Sequence, residues 1–139
     1  PQSFDTVVTT NMFGDILTDE AAGLVGGLGM APGLCIGRGS LAMAQATHGS
    51  APDIAGKGIA NPYAMIESTR MLLDWLGRAH GVSPAVEAAA AMREAMDRAL
   101  ADPATRTRDI AGTADLEGMT QGILSALGAA EGKKVHAKA

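Results

Sequence analysis

Cysteine, aromatic residues and positive charge are all scarce in this sequence. Cys35 is the single cysteine among 139 residues, so no disulfide can form within the chain, which fits a reducing, cytoplasmic setting. Phe, Trp and Tyr together make up 3% of the residues, so any core must be built mainly from smaller side chains. The formal net charge is −4 and no stripe of Lys and Arg is present, which argues against a nucleic-acid surface.

Long hydrophobic runs are missing as well. No apolar stretch approaches the roughly 18 residues that would indicate a membrane span, and no signal-peptide pattern is present. We therefore expect a soluble protein without a membrane partner. What the chain does have is 47% hydrophobic residues and 18 glycines, a composition that favours helices and turns packed closely through small side chains.

The order of apolar patterns predicts an α/β fold. Residues 5–10 are rich in β-branched side chains, which predicts a buried strand. Helical spacing follows from Phe13 to about Gly26, with Asn11 as the N-cap. Two weaker strands are predicted at residues 34–36 and 41–47, around a turn at 37–39. Three further helices are predicted to begin at Pro62 (capped by Asn61), at Ser83 and near Asp115, and a frayed polar tail occupies 131–139. The core faces predicted for the two middle helices are Met65, Ile66, Thr69, Leu72, Leu73 and Leu76 in one, and Val86, Ala89, Met92, Met96 and Leu100 in the other.

Asp15 and Asp19 form an acidic pair on the first predicted helix. A spacing of four residues puts both carboxylates on one helix face, where they repel unless a cation or hydrogen-bond donors lie between them. A hard divalent ion such as Mg²⁺ or Mn²⁺ would relieve that repulsion. An exposed acidic face near a helix N-terminus, which the helix dipole favours, is the simpler interpretation of the pair taken alone.

A second motif, residues 37–42 (GRGSLA), matches the dinucleotide pattern G-x-G-x-x-A. The pattern requires a strand before it, a helix opening on it and an acidic residue about 20 positions later. Residues 41–47 lack helix caps and Asp53 comes too soon. We therefore interpret this segment as a hairpin turn.

The long loop at residues 48–62, HGSAPDIAGKGIANP, is more informative because loops of this length in compact domains usually carry function. His48 can present its ring, and Asp53 offers a carboxylate that could accept both hydroxyls of a ribose, which would favour NAD over a 2′-phosphorylated cofactor. The Asn61 amide is placed to read a purine edge or to cap the next helix. A structural histidine at position 48 is the simpler alternative.

Residues 11–19 (NMFGDILTD) followed by this loop resemble the isocitrate/isopropylmalate dehydrogenase family of β-decarboxylating, metal-dependent dehydrogenases. The resemblance implies that Asp15 and Asp19 ligate Mg²⁺ or Mn²⁺ and act in catalysis through that metal. It also implies that the loop wraps the adenosine half of the cofactor without a Rossmann fingerprint. The implied cofactor-binding residues are His48, Gly49, Ser50, Ala51, Pro52, Asp53, Ile54 and Asn61.

By the same resemblance the cofactor is NAD, because NADP-using relatives carry lysine and tyrosine where Asp53 and Ile54 stand here. The implied reaction is oxidative decarboxylation of a 2-hydroxy acid with a carboxylate on the adjacent carbon. We expect 3-isopropylmalate first, then isocitrate, homoisocitrate, or tartrate and malate. A homodimer is the expected assembly, as in the family.

The chain also departs from the family pattern. Gln45 stands three residues before the histidine, where the family usually has a glutamate near the nicotinamide side. The family's substrate-binding arginines, catalytic tyrosine and lysine, and third metal-binding aspartate have no match here. The resemblance therefore implies a carboxyl-terminal part of a longer enzyme: about 1–30 ending the substrate and metal domain, about 31–130 forming the cofactor-binding portion, and 131–139 forming a tail. On this interpretation the isolated chain is inactive; a non-catalytic nucleotide-binding fragment and a plain structural domain are the alternatives.

Overall fold

The computed structural model describes residues 3–136 and has the mixed helix and strand content of an α/β fragment. Four α-helices and one β-hairpin make up the regular structure of this part of the chain. In order they are α1 (Asn11–Val25), β1 (Pro32–Ile36), β2 (Ala42–Ala46), α2 (Tyr63–His80), α3 (Ser83–Ala101) and α4 (Leu116–His136). Single 3₁₀ turns occur at Leu28–Met30, Pro52–Ile54 and Arg108–Ile110.

The beginning of the chain corrects one prediction. Residues 5–10 form an exposed, irregular segment, so the predicted buried strand is wrong. The sheet within the described residues contains β1 and β2 alone, and a strand without a neighbour leaves its backbone groups without ladder partners. Helix α1 is confirmed, but Thr10 is its N-cap and Asn11 is its first helical residue. Gly26 ends the helix with φ 127°, a conformation that favours glycine.

The β-hairpin lies against α2 and confirms the predicted turn at residues 37–39. Strands β1 and β2 are antiparallel, with Pro32 opposite Ala46 and Ile36 opposite Ala42. The buried hydroxyl of Ser68 on α2 joins the two elements, because it accepts the Gly33 N–H at 3.1 Å and lies 3.0 Å from the Gln45 carbonyl oxygen. Residues 32–46, which precede the long loop, therefore form a strand–turn–strand unit and not a Rossmann turn.

The core forms where α2, α3 and α4 meet. Its buried side chains are Tyr63, Ala95, Met96, Ala99, Met119 and Ile123. The predicted core face of α3 is confirmed at Ala89 and Met96. On α2 the prediction is wrong at Met65 and Thr69, which are exposed, because the helix turns Ala64 and Ser68 inward instead. Small side chains there allow the hairpin to approach closely, which hydrophobicity alone does not indicate.

A buried ion cluster joins α2 to α3. The Glu67 carboxylate is buried and accepts two hydrogen bonds from Arg70, at 2.7 and 2.9 Å, and a third from Arg93 of α3. Tyr63 lies one turn away, and its burial, with the charge of Glu67 as the second cause, raises the pKa of its hydroxyl above the usual value. The cluster therefore fixes the first turns of α2, the helix that follows the long loop.

The last helix is longer than predicted. Helix α4 continues to His136, and residues 137–139 lie outside the described part of the chain. The assignment of residues 131–139 to a tail stays a prediction. Within residues 3–136, every helix is too short or too polar to cross a lipid bilayer. The expected division near residue 30 between two domain portions stays a prediction.

Candidate functional site

A cavity of about 890 Å³ opens between the long loop and the turn that precedes α4. Apolar side chains from three segments form its walls, among them Leu28, Ile54, Ile59 and Leu116. The polar side chains at its lining are those of His48, Ser50, Asn61, Arg108 and Asp109. A cavity of this size with apolar walls and a few convergent polar groups is typical of a small-molecule site.

The long loop holds its shape through its own backbone. Ala51 has φ 45° and is followed by the 3₁₀ turn, in which the Ile54 N–H donates to the Ala51 carbonyl at 3.1 Å. Gly56 and Gly58 both have positive φ, which glycine adopts without steric strain. The Leu116 N–H donates to the Gly58 carbonyl at 2.8 Å, so the loop is fastened to the first residue of α4.

His48 is exposed at the start of the loop. Its Nδ1 lies 2.9 Å from the Gly49 carbonyl oxygen, and a carbonyl only accepts hydrogen bonds, so Nδ1 must carry the proton in this contact. In the tautomer with its single proton on Nδ1, Nε2 is an acceptor at the edge of the cavity. This geometry suits recognition of a ligand donor, such as a hydroxyl or amino group.

Asn61 is held by three elements. Its Oδ1 accepts the N–H of Tyr63, the first residue of α2, at 2.9 Å. The N-cap position itself is Pro62, so the helix begins one residue later than predicted. Its Nδ2 donates to Asp109 Oδ2 at 3.0 Å and lies 3.5 Å from the sulfur of Met30. The side-chain amide therefore has one fixed orientation, with its NH₂ group directed to the turn that carries Asp109.

A tight turn places Arg108 and Asp109 at the cavity. The Gly112 N–H donates to the backbone carbonyl of the buried Thr107 at 3.0 Å, and the Ala114 N–H donates to the Arg106 carbonyl at 2.9 Å. The chain passes so closely over itself that a Cβ at position 112 would lie 2.0 Å from the Arg106 oxygen. Only glycine fits that approach, and the resulting turn orients the two charged residues.

The structure brings most of the predicted nucleotide-binding residues together. Six of them line the cavity: His48, Gly49, Ser50, Ala51, Ile54 and Asn61. Pro52 and Asp53 lie on the 3₁₀ turn of the same loop but outside the lining. Arg108 and Asp109 were missed, because the sequence around them indicated only a turn; their charge, between Thr107 and Gly112, was the available signal.

The acidic pair lies elsewhere. Asp15 and Asp19 are exposed on α1, and Asp19 borders a separate groove of about 510 Å³ together with Glu20 and the apolar Ile16 and Leu24. No residue lines both this groove and the loop cavity. Within the described residues, no three His, Cys, Asp or Glu side chains are grouped as metal ligands. The structure thus presents two carboxylates and, apart from them, a nucleotide-sized cavity.

Taken together, the hairpin, the glycine-rich loop and the helical layer define an α/β protein with a ligand cavity that does not use a Rossmann turn. The sequence model of the isocitrate/isopropylmalate dehydrogenase family matches residues 1–126. The chain belongs to this family, which confirms the resemblance drawn from residues 11–19 and 48–62.

Individual relatives agree with this assignment. The chain is 50% identical over 127 residues to the isocitrate/homoisocitrate dehydrogenase of Thermus thermophilus, covering 91% of this chain and 35% of that protein. It is 46% identical over 125 residues to the 3-isopropylmalate dehydrogenase of Lactococcus lactis, covering 89% and 34%. The crystal structure of isocitrate dehydrogenase from Methylococcus capsulatus superimposes with a TM-score of 0.80 at 43% identity, covering 91% and 35%. The chain thus spans about a third of the length of the curated relatives it matches.

Proposed function

We propose that the chain supplies the nucleotide-binding side and two metal-binding carboxylates of an NAD-linked dehydrogenase. The reaction is the oxidative decarboxylation of a 2-hydroxy acid with a carboxylate on the adjacent carbon. When bound, NAD would accept a hydride from the hydroxyl-bearing carbon as the hydroxyl proton leaves, which gives a ketone. The carboxylate on the adjacent carbon would then depart as CO₂, and the enolate left behind would take up a proton at that carbon. The observation that carries this proposal is the cavity built by residues 48–61, which gathers six of the residues expected to hold the cofactor.

The residues present fit an adenine dinucleotide. The cavity offers apolar walls for a base, an imidazole at His48, and loop glycines that let the backbone approach a ligand closely. Asp53 stands in the 3₁₀ turn that also carries Ile54 of the lining. Its carboxylate would accept the two ribose hydroxyls of NAD and would repel a 2′-phosphate, which supports NAD as the cofactor.

The acidic pair fits a hard divalent cation. Mg²⁺ and Mn²⁺ bind carboxylate oxygens, and Mg²⁺ is usually held by one or two carboxylates together with substrate and water. Asp15 and Asp19 provide two carboxylates on one face of α1. A bound cation supplies Lewis-acid stabilisation of negative charge developing on the substrate oxygen; the two aspartates hold it and align it.

For the substrate, 3-isopropylmalate is the first proposal. The similar proteins are named for 3-isopropylmalate, homoisocitrate and isocitrate, so isocitrate and homoisocitrate follow, with tartrate and malate as further members of the same chemical class. A homodimer and a cytoplasmic location are proposed with the family assignment. The absence of turnover by the isolated chain is proposed on the ground that it spans about a third of its relatives.

The cofactor assignment predicts a preference for NADH over NADPH, which reversing the charge of Asp53 should reduce. Fluorescence titration with NADH and NADPH should show tighter binding of NADH to the chain, and Asp53→Lys should shift the ratio of dissociation constants towards NADPH by about tenfold. Glu87→Lys makes the same charge change on the exposed side of α3 and should leave the ratio unchanged. A chain that binds neither nucleotide, or a ratio insensitive to Asp53→Lys, would contradict the NAD assignment.

The metal assignment predicts that both Asp15 and Asp19 are needed for cation binding. Titration of Mn²⁺ followed by electron paramagnetic resonance should show that Asp15→Asn and Asp19→Asn each weaken binding by about tenfold or more, the scale seen even for lost outer-shell partners. Glu87→Gln removes one exposed charge from α3, outside the groove that Asp19 borders, and should leave Mn²⁺ binding unchanged. Equal weakening by all three variants would indicate diffuse attraction to an acidic surface and would overturn the site.

A further inference from the structure

Arg93 of α3 contacts the first turns of α2, the helix to which both ends of the long loop are bonded. We propose that Arg93 is a positioning residue for nucleotide binding: it lies outside the cavity lining and raises the affinity for the cofactor by holding those turns of α2 in place. The inference rests on the proposed nucleotide function and deepens it, because it identifies a residue away from the cavity on which that affinity depends.

Both ends of the long loop are bonded to the first two turns of α2. Near the end of the loop, the Asn61 Oδ1 accepts the Tyr63 N–H at 2.9 Å. Before its start, the buried hydroxyl of Ser68 lies 3.0 Å from the carbonyl oxygen of Gln45, three residues ahead of His48. A shift of these turns would therefore move Asn61 and His48, which both line the cavity.

Arg93 reaches the same two turns from the neighbouring helix. Its Nη2 donates to the Glu67 Oε1. Burial, followed by the charge of Glu67, raises the pKa of the Tyr63 hydroxyl, and the charge of Arg93 opposes that rise, so the guanidinium lies close to both side chains. Tyr63 and Glu67 are four residues apart and share one face of α2. Among the ion pairs of the described residues, the pair of Arg93 with Glu67 alone joins two helices.

Arg93 can be removed without leaving the buried carboxylate unpaired. Arg70 donates to both Glu67 oxygens, at 2.7 and 2.9 Å, from within α2. Truncation of Arg93 therefore breaks the link between the helices but keeps Glu67 paired. The Arg93 side chain is also 42% exposed, so water can occupy the space that it leaves. Arg93, and not Glu67, is thus the residue at which positioning can be tested apart from stability.

Holding α2 raises affinity because the arrangement that binds the nucleotide is then populated before the nucleotide arrives. When only a fraction of the molecules has that arrangement, the apparent affinity falls in proportion to the fraction. The hydrogen bond from Arg93 to Glu67 is charge-assisted, and such bonds are stronger than those between neutral groups. Loss of Arg93 should therefore weaken nucleotide binding although no group that lines the cavity is changed.

The test is fluorescence titration of the full chain with NADH, at a temperature where circular dichroism shows every variant to be folded. Arg93→Ala should raise the NADH dissociation constant about fivefold, within the range by which residues away from a ligand change its binding. Arg93→Lys keeps a charged donor for Glu67 and should recover most of the wild-type affinity. Arg98→Ala removes an exposed arginine of the same helix and should leave the dissociation constant unchanged.

Gly77→Ala separates positioning from a general loss of stability. A methyl group there would lie 2.9 Å from the backbone nitrogen of Val86, which should lower the melting temperature by disturbing the contact of α2 with α3. The position is about 20 Å along α2 from Tyr63, at the end of the helix remote from the loop. NADH affinity should therefore stay at the wild-type value. Weakening as large as that of Arg93→Ala would show that any destabilisation reduces binding, and would overturn the inference.

Amide hydrogen exchange gives a second readout that needs no ligand. The Tyr63 amide should exchange faster in Arg93→Ala than in the wild type, relative to the Ile123 amide of α4, which reports global stability. If Arg93→Ala does not fold, Arg93→Met keeps the apolar stem, removes the charge and takes its place in both measurements. An unchanged NADH affinity would overturn the inference while leaving the nucleotide function standing. A wild-type chain that does not bind NADH would overturn both.

Discussion

Gly112→Ala should lower the free energy of unfolding of the chain by about 3 kcal/mol, the upper end of the range for forced overpacking. The new methyl group would lie 2.0 Å from the Arg106 carbonyl oxygen and 2.3 Å from its carbon. Both are backbone atoms, so no side-chain rotation can relieve the overlap. The turn must open, which breaks the hydrogen bond from the Ala114 N–H to the Arg106 carbonyl. Urea denaturation measures the change.

The matched control is Gly128→Ala on α4, where nothing lies within 4 Å of the added methyl group. Alanine favours a helix over glycine, so this variant should gain about 0.5–1 kcal/mol. Gly112→Ala should also weaken NADH binding, because the same turn places Arg108 and Asp109 at the cavity. Similar stability of the two variants would show that the turn has room to relax, and would contradict the close approach described for it.

Glu67→Ala should destabilise the chain by about 3 kcal/mol, the scale seen when one partner of a buried ion pair is removed. The carboxylate receives two hydrogen bonds from Arg70 and one from Arg93. Arg70 is itself largely covered, with 15% of its side chain exposed, so it would keep a charge without a partner. Loss of the carboxylate also removes one of the causes that raise the Tyr63 pKa.

Two measurements check this expectation. Thermal or urea unfolding should give the stability loss, and absorbance titration of the single tyrosine should move to lower pH in the variant. Glu94→Gln is the matched control, because its ion pair with Arg98 is exposed on the same helix layer and such pairs contribute less than about 1 kcal/mol. If Glu67→Ala behaves like Glu94→Gln, the cluster is not a stabilising contact between α2 and α3.

The sequence allowed most of the regular structure to be predicted. Helix ends near Gly26 and Gly81 could be predicted because glycine follows the helical pattern there, and both glycines have positive φ in the structure. The hairpin was predicted from the turn at 37–39. The strand at residues 5–10 failed because β propensity is expressed only where a neighbouring strand pairs with it. The prediction for the inward face of α2 was wrong in part because the Ser68 hydroxyl bonds to both strands of the hairpin, a contact that hydrophobic periodicity does not measure.

Only the part of the candidate site that is contiguous in the sequence could be predicted. A contiguous loop such as residues 48–61 can be recognised by its motif, and a bond from Asn61 to the start of the next helix could be predicted from its place before Pro62. Asp109 contacts Asn61 across 48 positions of sequence, a distance over which no local pattern operates. The sequence predicts that Asp53 binds the ribose hydroxyls, but the structure places this residue beside the cavity lining and not in it. Its role at the ribose is therefore a proposal, which the comparison of NADH and NADPH binding tests.

Helix α1 packs little against the rest of the described chain. Ala22 is its single buried residue, while Phe13, Ile16 and Leu24 are exposed, so little of its order comes from packing against the rest of the chain. Asp15 and Asp19 are four residues apart, so their carboxylates lie on one face only while this segment is helical. Ion capture by the isolated chain would therefore be thermodynamically linked to helix formation, and adding the ion would raise the helical population of this segment.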